Sequence, residues 1–354
     1  MYQFKVNSLS KKIINENEEN NNNNKQRKNM NIKKIGMTAL AASLVSTSVF
    51  AGELTATGSA SLTVEGYSGT ILNSDTAYSM ADSVMLTGST ELDNGLTVAM
   101  SFELDGDNED ADGTSSYDSN KMTISSDAIG TLVFHAHGGD SATGAIDASA
   151  AGDIFDNFDG AANGLTVTGV ADGSAALGNN GFHYTLPSMV DGLALSTSLN
   201  TAGTTGNNAL GFAGSYSGVE GLSVSYGVSD IETGATGTSG DQTVMKASYA
   251  YGPVTVGYSS NEIDLGTATS DKETTAWGVS YTVSEAISVS YGQETIDVNT
   301  TLGVVDAEYE GISASYTSGG MTVSVKSQEA TNIDNTVDTD NDYDYWSLGL
   351  SFAF

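Results

Sequence analysis

The last twelve residues, Tyr343 to Phe354, read YDYWSLGLSFAF, and they constrain the fold more than any other stretch. Counting back from the end, Trp346, Leu348, Leu350, Phe352 and Phe354 fall on every second position. Tyr345, Ser347, Gly349, Ser351 and Ala353 fall between them. Side chains alternate faces along a strand, so one face is wholly apolar and the other small or polar. A sandwich strand can show this alternation, but it rarely closes a chain on an exposed aromatic.

The same period recurs throughout residues 54–354, in segments separated by turn residues. The early segments are 54–66, 82–92, 96–104, 121–126 and 131–138. After a long irregular stretch come 181–186, 193–199, 209–216, 222–228, 242–251, 254–260, 274–283, 287–293, 304–316, 321–327 and 343–354. Sixteen strands are therefore expected. Short turns such as Asp93-Asn94-Gly95, Gly252-Pro253 and Gly319-Gly320 alternate with longer polar loops, and Pro187 and Pro253 both fall in short turns. Tyr216, Tyr251, Tyr281 and Tyr316 each precede a short turn, as an aromatic girdle at a membrane interface requires. One face carries Leu222, Val224, Tyr226, Met245, Val256, Tyr258, Trp277, Val279, Tyr281 and Tyr291; the other carries mostly Ser, Thr, Gly and Ala. In one segment Tyr309 and Ile312 share the apolar face only if a bulge lies near Glu310-Gly311.

Ahead of these segments, Lys33 and Lys34 precede an apolar run from Ile35 to Val49, and Val49-Phe50-Ala51 offers small residues at the cleavage positions. Residues 30–51 are therefore expected to be a signal peptide starting at Met30, residues 1–29 an upstream mis-start or extension, and residues 52–354 the working domain. Residues 52–354 hold 41 acidic side chains against Lys121, Lys246, Lys272 and Lys326, with no arginine and no cysteine. Without a basic patch, nucleic acid is excluded as a partner. No second apolar run is long enough for a membrane helix. A membrane location then requires a closed barrel, because lipid cannot satisfy open strand edges.

The closing segment resembles the terminal strand of outer-membrane β-barrels, in which Trp346, Leu348, Leu350, Phe352 and Phe354 would be read by the barrel-assembly machinery. The opening ELTATGSASLTVEGY, the hairpin SVMLTGSTELDNGLTVAMSFEL, and GTLVF followed by a long loop are similar to the 16-stranded general porins of Gram-negative bacteria. That resemblance implies an all-β fold, a transmembrane antiparallel up-and-down barrel whose third loop folds into the lumen. It also implies a homotrimer in outer-membrane lipid and lipopolysaccharide, passing small hydrophilic solutes. The long loop would carry the constriction carboxylates Asp140, Asp147, Asp153, Asp156 and Asp159. Family members typically face such carboxylates with a ladder of arginines. Here His135-Ala136-His137 follows GTLVF where the family often has Gly-Arg.

By alternation, Glu65, Glu91, Glu103, Lys121, His135, His137, His183, Lys246 and Lys326 share the lumen face. A lysine on the lipid face at mid-depth would cost about 2–4 kcal/mol, so the lumen is where lysines belong. The excess of carboxylates predicts a cation-preferring pore. No cofactor is expected, and no catalytic constellation emerges. Of the acidic stretches 105–112 and 334–344, the first lacks the glycine and terminal glutamate an EF-hand needs, and at most weak Ca²⁺ or Mg²⁺ binding is expected of either. The acidity, glycine content and absent cysteine also fit a secreted, calcium-binding surface-layer or solenoid protein. That alternative requires a short fixed repeat such as GGxGxD, which the chain lacks.

Overall fold

A computed structural model describes residues 54–68, 76–105, 119–139, 141–146, 180–201, 208–233, 238–264, 271–299, 305–332 and 342–354. The segments expected to be leader and signal peptide lie outside the described residues. Among the described residues sixteen strands follow one another. They are β1 Leu54–Ser68, β2 Ala77–Glu91, β3 Thr97–Asp105, β4 Ser119–Ser126, β5 Gly130–His137, β6 Gly181–Thr185, β7 Leu193–Thr201 and β8 Asn208–Tyr216. The second half comprises β9 Leu222–Thr233, β10 Thr238–Tyr251, β11 Val254–Asp264, β12 Asp271–Thr282, β13 Ile287–Asn299, β14 Ala307–Ser318, β15 Met321–Thr331 and β16 Tyr343–Ala353.

Each strand pairs antiparallel with its sequence neighbours, and β16 pairs with β1, so the sheet closes without a free edge. Closure is completed by Phe354, whose N–H donates to the Gly58 carbonyl at 2.9 Å while its carbonyl accepts from Gly58 N–H at 2.7 Å. Short connections gather at one end of the barrel and the longer ones at the other. Turn chemistry explains the short ones. Gly95, Gly192, Gly221, Gly252 and Gly319 have positive φ, which only glycine adopts without strain.

Alternation sorts the two faces as the sequence requires. Leu62, Phe212, Tyr226, Trp277, Ile312, Val325, Leu348 and Phe352 point outward and are each roughly half exposed, as a lipid-facing band must be. The four tyrosines at the short turns lie on this face, forming a girdle. Toward the long-loop end the outward face turns polar through a hydrogen-bonded patch. Trp277 Nε1 donates to Gln293 Oε1 at 3.1 Å, while Gln293 Nε2 and Tyr291 OH donate to Glu310 Oε2 at 3.0 and 2.8 Å.

The expected bulge at Glu310-Gly311 is absent. Pairing runs unbroken from Ile287↔Tyr316 to Ile296↔Ala307, and from Glu308↔Thr331 to Ser318↔Met321. Tyr309 and Ile312 do not share a face: Tyr309 points inward and is 2 % exposed, while Ile312 points outward. A register shift lies instead at Asn120/Lys121 in β4.

Candidate functional site

The inner face is the candidate site, because it is built from small and polar side chains in a closed ring. Cross-strand register connects one lumen position to the next. Glu65 lies opposite Ser347, Ser347 opposite Lys326, and Lys326 opposite Ser313. Lys246 lies opposite Ser225 and Ser259, and Lys121 opposite Ser101 and His135. Cross-strand register likewise places Glu91, Glu103 and His183 on the inner face. His137 is different. It lies opposite Asn120, which pairs with the outward position Phe102, so the shift at Ala136 removes it from simple alternation.

Shortly after β5, residues 141–146 of the expected third loop lie inside the barrel, and residues 147–179 of that loop lie outside the described residues. Ser141, Ala142, Thr143 and Ile146 are buried against the inner wall of β7 to β10. A tight turn shapes the segment: Ala145 N–H donates to the Ser141 carbonyl, and Ile146 N–H to the Thr143 carbonyl, both at 2.9 Å. Polar contacts dock it. Ala142 N–H donates to Ser198 Oγ at 2.8 Å, and Thr143 Oγ1 shares a hydrogen bond with Ser229 Oγ at 3.0 Å. Ser229 Oγ donates in turn to Gln242 Oε1 at 3.2 Å, and Gln242 Nε2 to Asn261 Oδ1 at 3.1 Å. This chain of uncharged groups satisfies polar atoms that burial would otherwise penalise.

Glycines make the close approach possible. A Cβ on Gly227 would sit 3.0 Å from Ile146 Cδ1 and 3.1 Å from Thr143 Cγ2. Sequence reasoning missed this docking surface, although a signal existed. Val244, beside Gly227 in the wall that receives Ile146 and Thr143, is an apolar residue on the polar face and is 1 % exposed. An apolar residue out of phase in a lumen strand marks a covered patch.

On the side of the ring eight strands from β9, Glu65 Oε2 accepts from Tyr345 OH at 2.9 Å, with the Tyr345 ring 4.9 Å from that of Tyr67. Two strands on, Glu103 accepts from Ser83 Oγ at 2.8 Å and from Ser119 Oγ at 2.9 Å. Asp140, Asp147, Asp153, Asp156 and Asp159 lie outside the described residues. Among the described residues no cluster of three or more His, Asp or Glu is arranged to hold a metal ion. Of the closing residues, Trp346, Leu348, Phe352 and Phe354 are exposed on the outer face, with Leu350 in the same row.

At the long-loop end, on the outward face, the register brings carboxylates directly opposite one another. Asp230, Asp241 and Asp264 form one row, Glu262, Glu273 and Asp297 a second, and Glu310, Glu329 and Asp344 a third. Like charges in such pairs repel, and exposure to water limits the cost.

A sequence model of the family described as Gram-negative porin matches residues 36–303. No curated protein matches the chain. Among solved structures, an anion-selective porin from Comamonas acidovorans is similar at 14% identity with a TM-score of 0.66, covering 86% of this chain and all of that one. A mutant of the Rh. blastica porin is similar at 19% identity with a TM-score of 0.61, covering 85% of this chain and all of that one.

Proposed function

The chain belongs to the Gram-negative porin family, outer-membrane barrels for passive diffusion, and from that premise we propose a pore for small hydrophilic solutes and ions that prefers cations. The observation that carries the preference is the three rows of opposed carboxylates on the outward face at the long-loop end, rimming the mouth, with no lysine among them. Such a mouth concentrates cations and depletes anions before either reaches the lumen. The Comamonas acidovorans porin is anion-selective, but at 14% identity its selectivity does not carry over. Asp140, Asp147, Asp153, Asp156 and Asp159 are proposed to add further negative charge at the constriction. Reversal potential in a KCl gradient across a planar bilayer tests the reading. A potassium-directed potential is expected, and a chloride-directed one overturns it.

A homotrimer is proposed as the assembly. Strands β4 and β5 have 8 residues each and β6 has 5, fewer than the roughly 9–11 that cross a hydrocarbon core. Lipid cannot satisfy the polar backbone beyond such short strands, whereas a neighbouring copy can. The outer face of this arc also carries an apolar groove of about 260 Å³ lined by Met122, Ile124, Leu132, Phe134 and Phe182. Phe134→Glu should shift detergent-solubilised protein from trimer to monomer in light-scattering chromatography; an unchanged trimer would move the interface elsewhere.

Export is proposed to proceed by cleavage after Ala51, which the intact mass of the purified protein reads directly. The outward row from Trp346 to Phe354 would serve as the assembly signal. Calcium or magnesium bridging the acidic stretches to lipopolysaccharide is the proposed lipid contact, and a chelator should then lower the temperature at which the trimer dissociates.

A further inference from the structure

The lumen acids differ in how they are held. Glu91 is exposed at the short-turn end, and Glu294 is buried. Glu65 takes one hydrogen bond, from Tyr345. Glu103 on β3 is half-buried and takes one on each oxygen, from hydroxyls on both flanking strands: Ser83 of β2 to Oε1 and Ser119 of β4 to Oε2. A glutamate in water sweeps a wide volume about its side-chain torsions. Tied on both sides, its charge stays at one place on the wall. A carboxylate oxygen has about two acceptor directions, so one on each oxygen remains for a passing cation or its water. Structural need does not account for the arrangement, because backbone ladders already join β2 to β3 and β3 to β4.

We propose that Glu103 is a selectivity-determining residue of the pore, a fixed wall carboxylate along which hydrated cations pass, and that Ser83 and Ser119 are its positioning residues. The assignment rests on the cation-preferring reading above. It predicts a local, oriented charge rather than a contribution to diffuse mouth potential.

The test compares full-length variants in bilayers, using KCl alone as the probe, after heat-modifiable mobility on gels has verified the barrel. Glu103→Gln should lower the potassium-to-chloride permeability ratio at least about twofold, and more than Glu91→Gln does. The double variant Ser83→Ala/Ser119→Ala keeps the charge but frees it. At about 1 M KCl, where screening reaches only ~3 Å, its ratio should fall between wild type and Glu103→Gln. Glu103→Asp retains the charge on a shorter arm and should behave like the serine variant, which covers a failure of Glu103→Gln to fold. A Glu103→Gln ratio equal to wild type, or a Glu91→Gln effect as large, overturns the assignment to Glu103. A serine variant equal to wild type overturns the positioning role. A wild type that prefers chloride defeats the cation reading itself, which separates that failure from the others.

Discussion

A lysine on the inner wall opposes the selectivity of the carboxylates around it, and Lys121 is the informative case. It lies opposite Ser101 and His135, one lumen position along β4 from Ser119, which holds Glu103. Its cation therefore stands diagonally across one strand from that carboxylate, close enough to weaken its field. Lys121→Gln should raise the potassium-to-chloride permeability ratio, by roughly the factor that loss of one nearby acid would lower it. Reversal potentials read the change, and an unchanged ratio would mean that the permeating ions do not pass this part of the wall. Residues of this kind were legible in the sequence, because parity alone assigns a charge to lumen or lipid. Their hydrogen-bond partners were not. Ser83 and Ser119 are ordinary serines among many until the register puts both beside one glutamate.

At the level of strands, period-2 apolarity located every element but undersized those that rise past the membrane. The segments read as 222–228, 254–260 and 287–293 extend to Thr233, Asp264 and Asn299. Beyond the lipid band the outer face needs no apolar residues, so the alternation stops while the backbone ladder continues. The mistaken bulge in β14 has the same origin. Tyr309 lies past the band, on the inner face, where an aromatic is not a lipid contact. The docking of Ser141 to Ile146 was legible only as a long loop in the right place, because its anchors are glycines and small hydroxyls that carry no periodic signal. It gives a direct prediction. Gly227→Leu adds a side chain where a Cβ alone would meet Ile146 and Thr143 at 3.0–3.1 Å, so the segment must lift from the wall. Single-channel conductance should change by tens of per cent, roughly, while the outer barrel keeps its heat stability. Unchanged conductance would show that 141–146 does not border the conducting path.

For the molecule as a whole, two sources of charge act over different ranges, and ionic strength separates them. The rows of carboxylates at the long-loop end stand on exposed outer strand ends, so their reach is the Debye length, ~10 Å at 0.1 M salt and ~3 Å at 1 M. Glu65 and Glu103 stand on the inner wall, half-buried and hydrogen-bonded, where screening is weaker. Selectivity should therefore fall in two stages. At about 0.1 M both sources act, and the permeability ratio is largest. As the mean concentration rises toward about 1 M at a constant gradient, the mouth is screened out and the ratio should level off above unity. That plateau is the contribution of the wall, and it should drop in Glu103→Gln while the low-salt ratio drops less in proportion. A ratio independent of salt would assign all selectivity to the lumen and none to the acidic mouth. A ratio that collapses to unity would assign it all to the mouth, leaving the oriented carboxylate without a role in conduction.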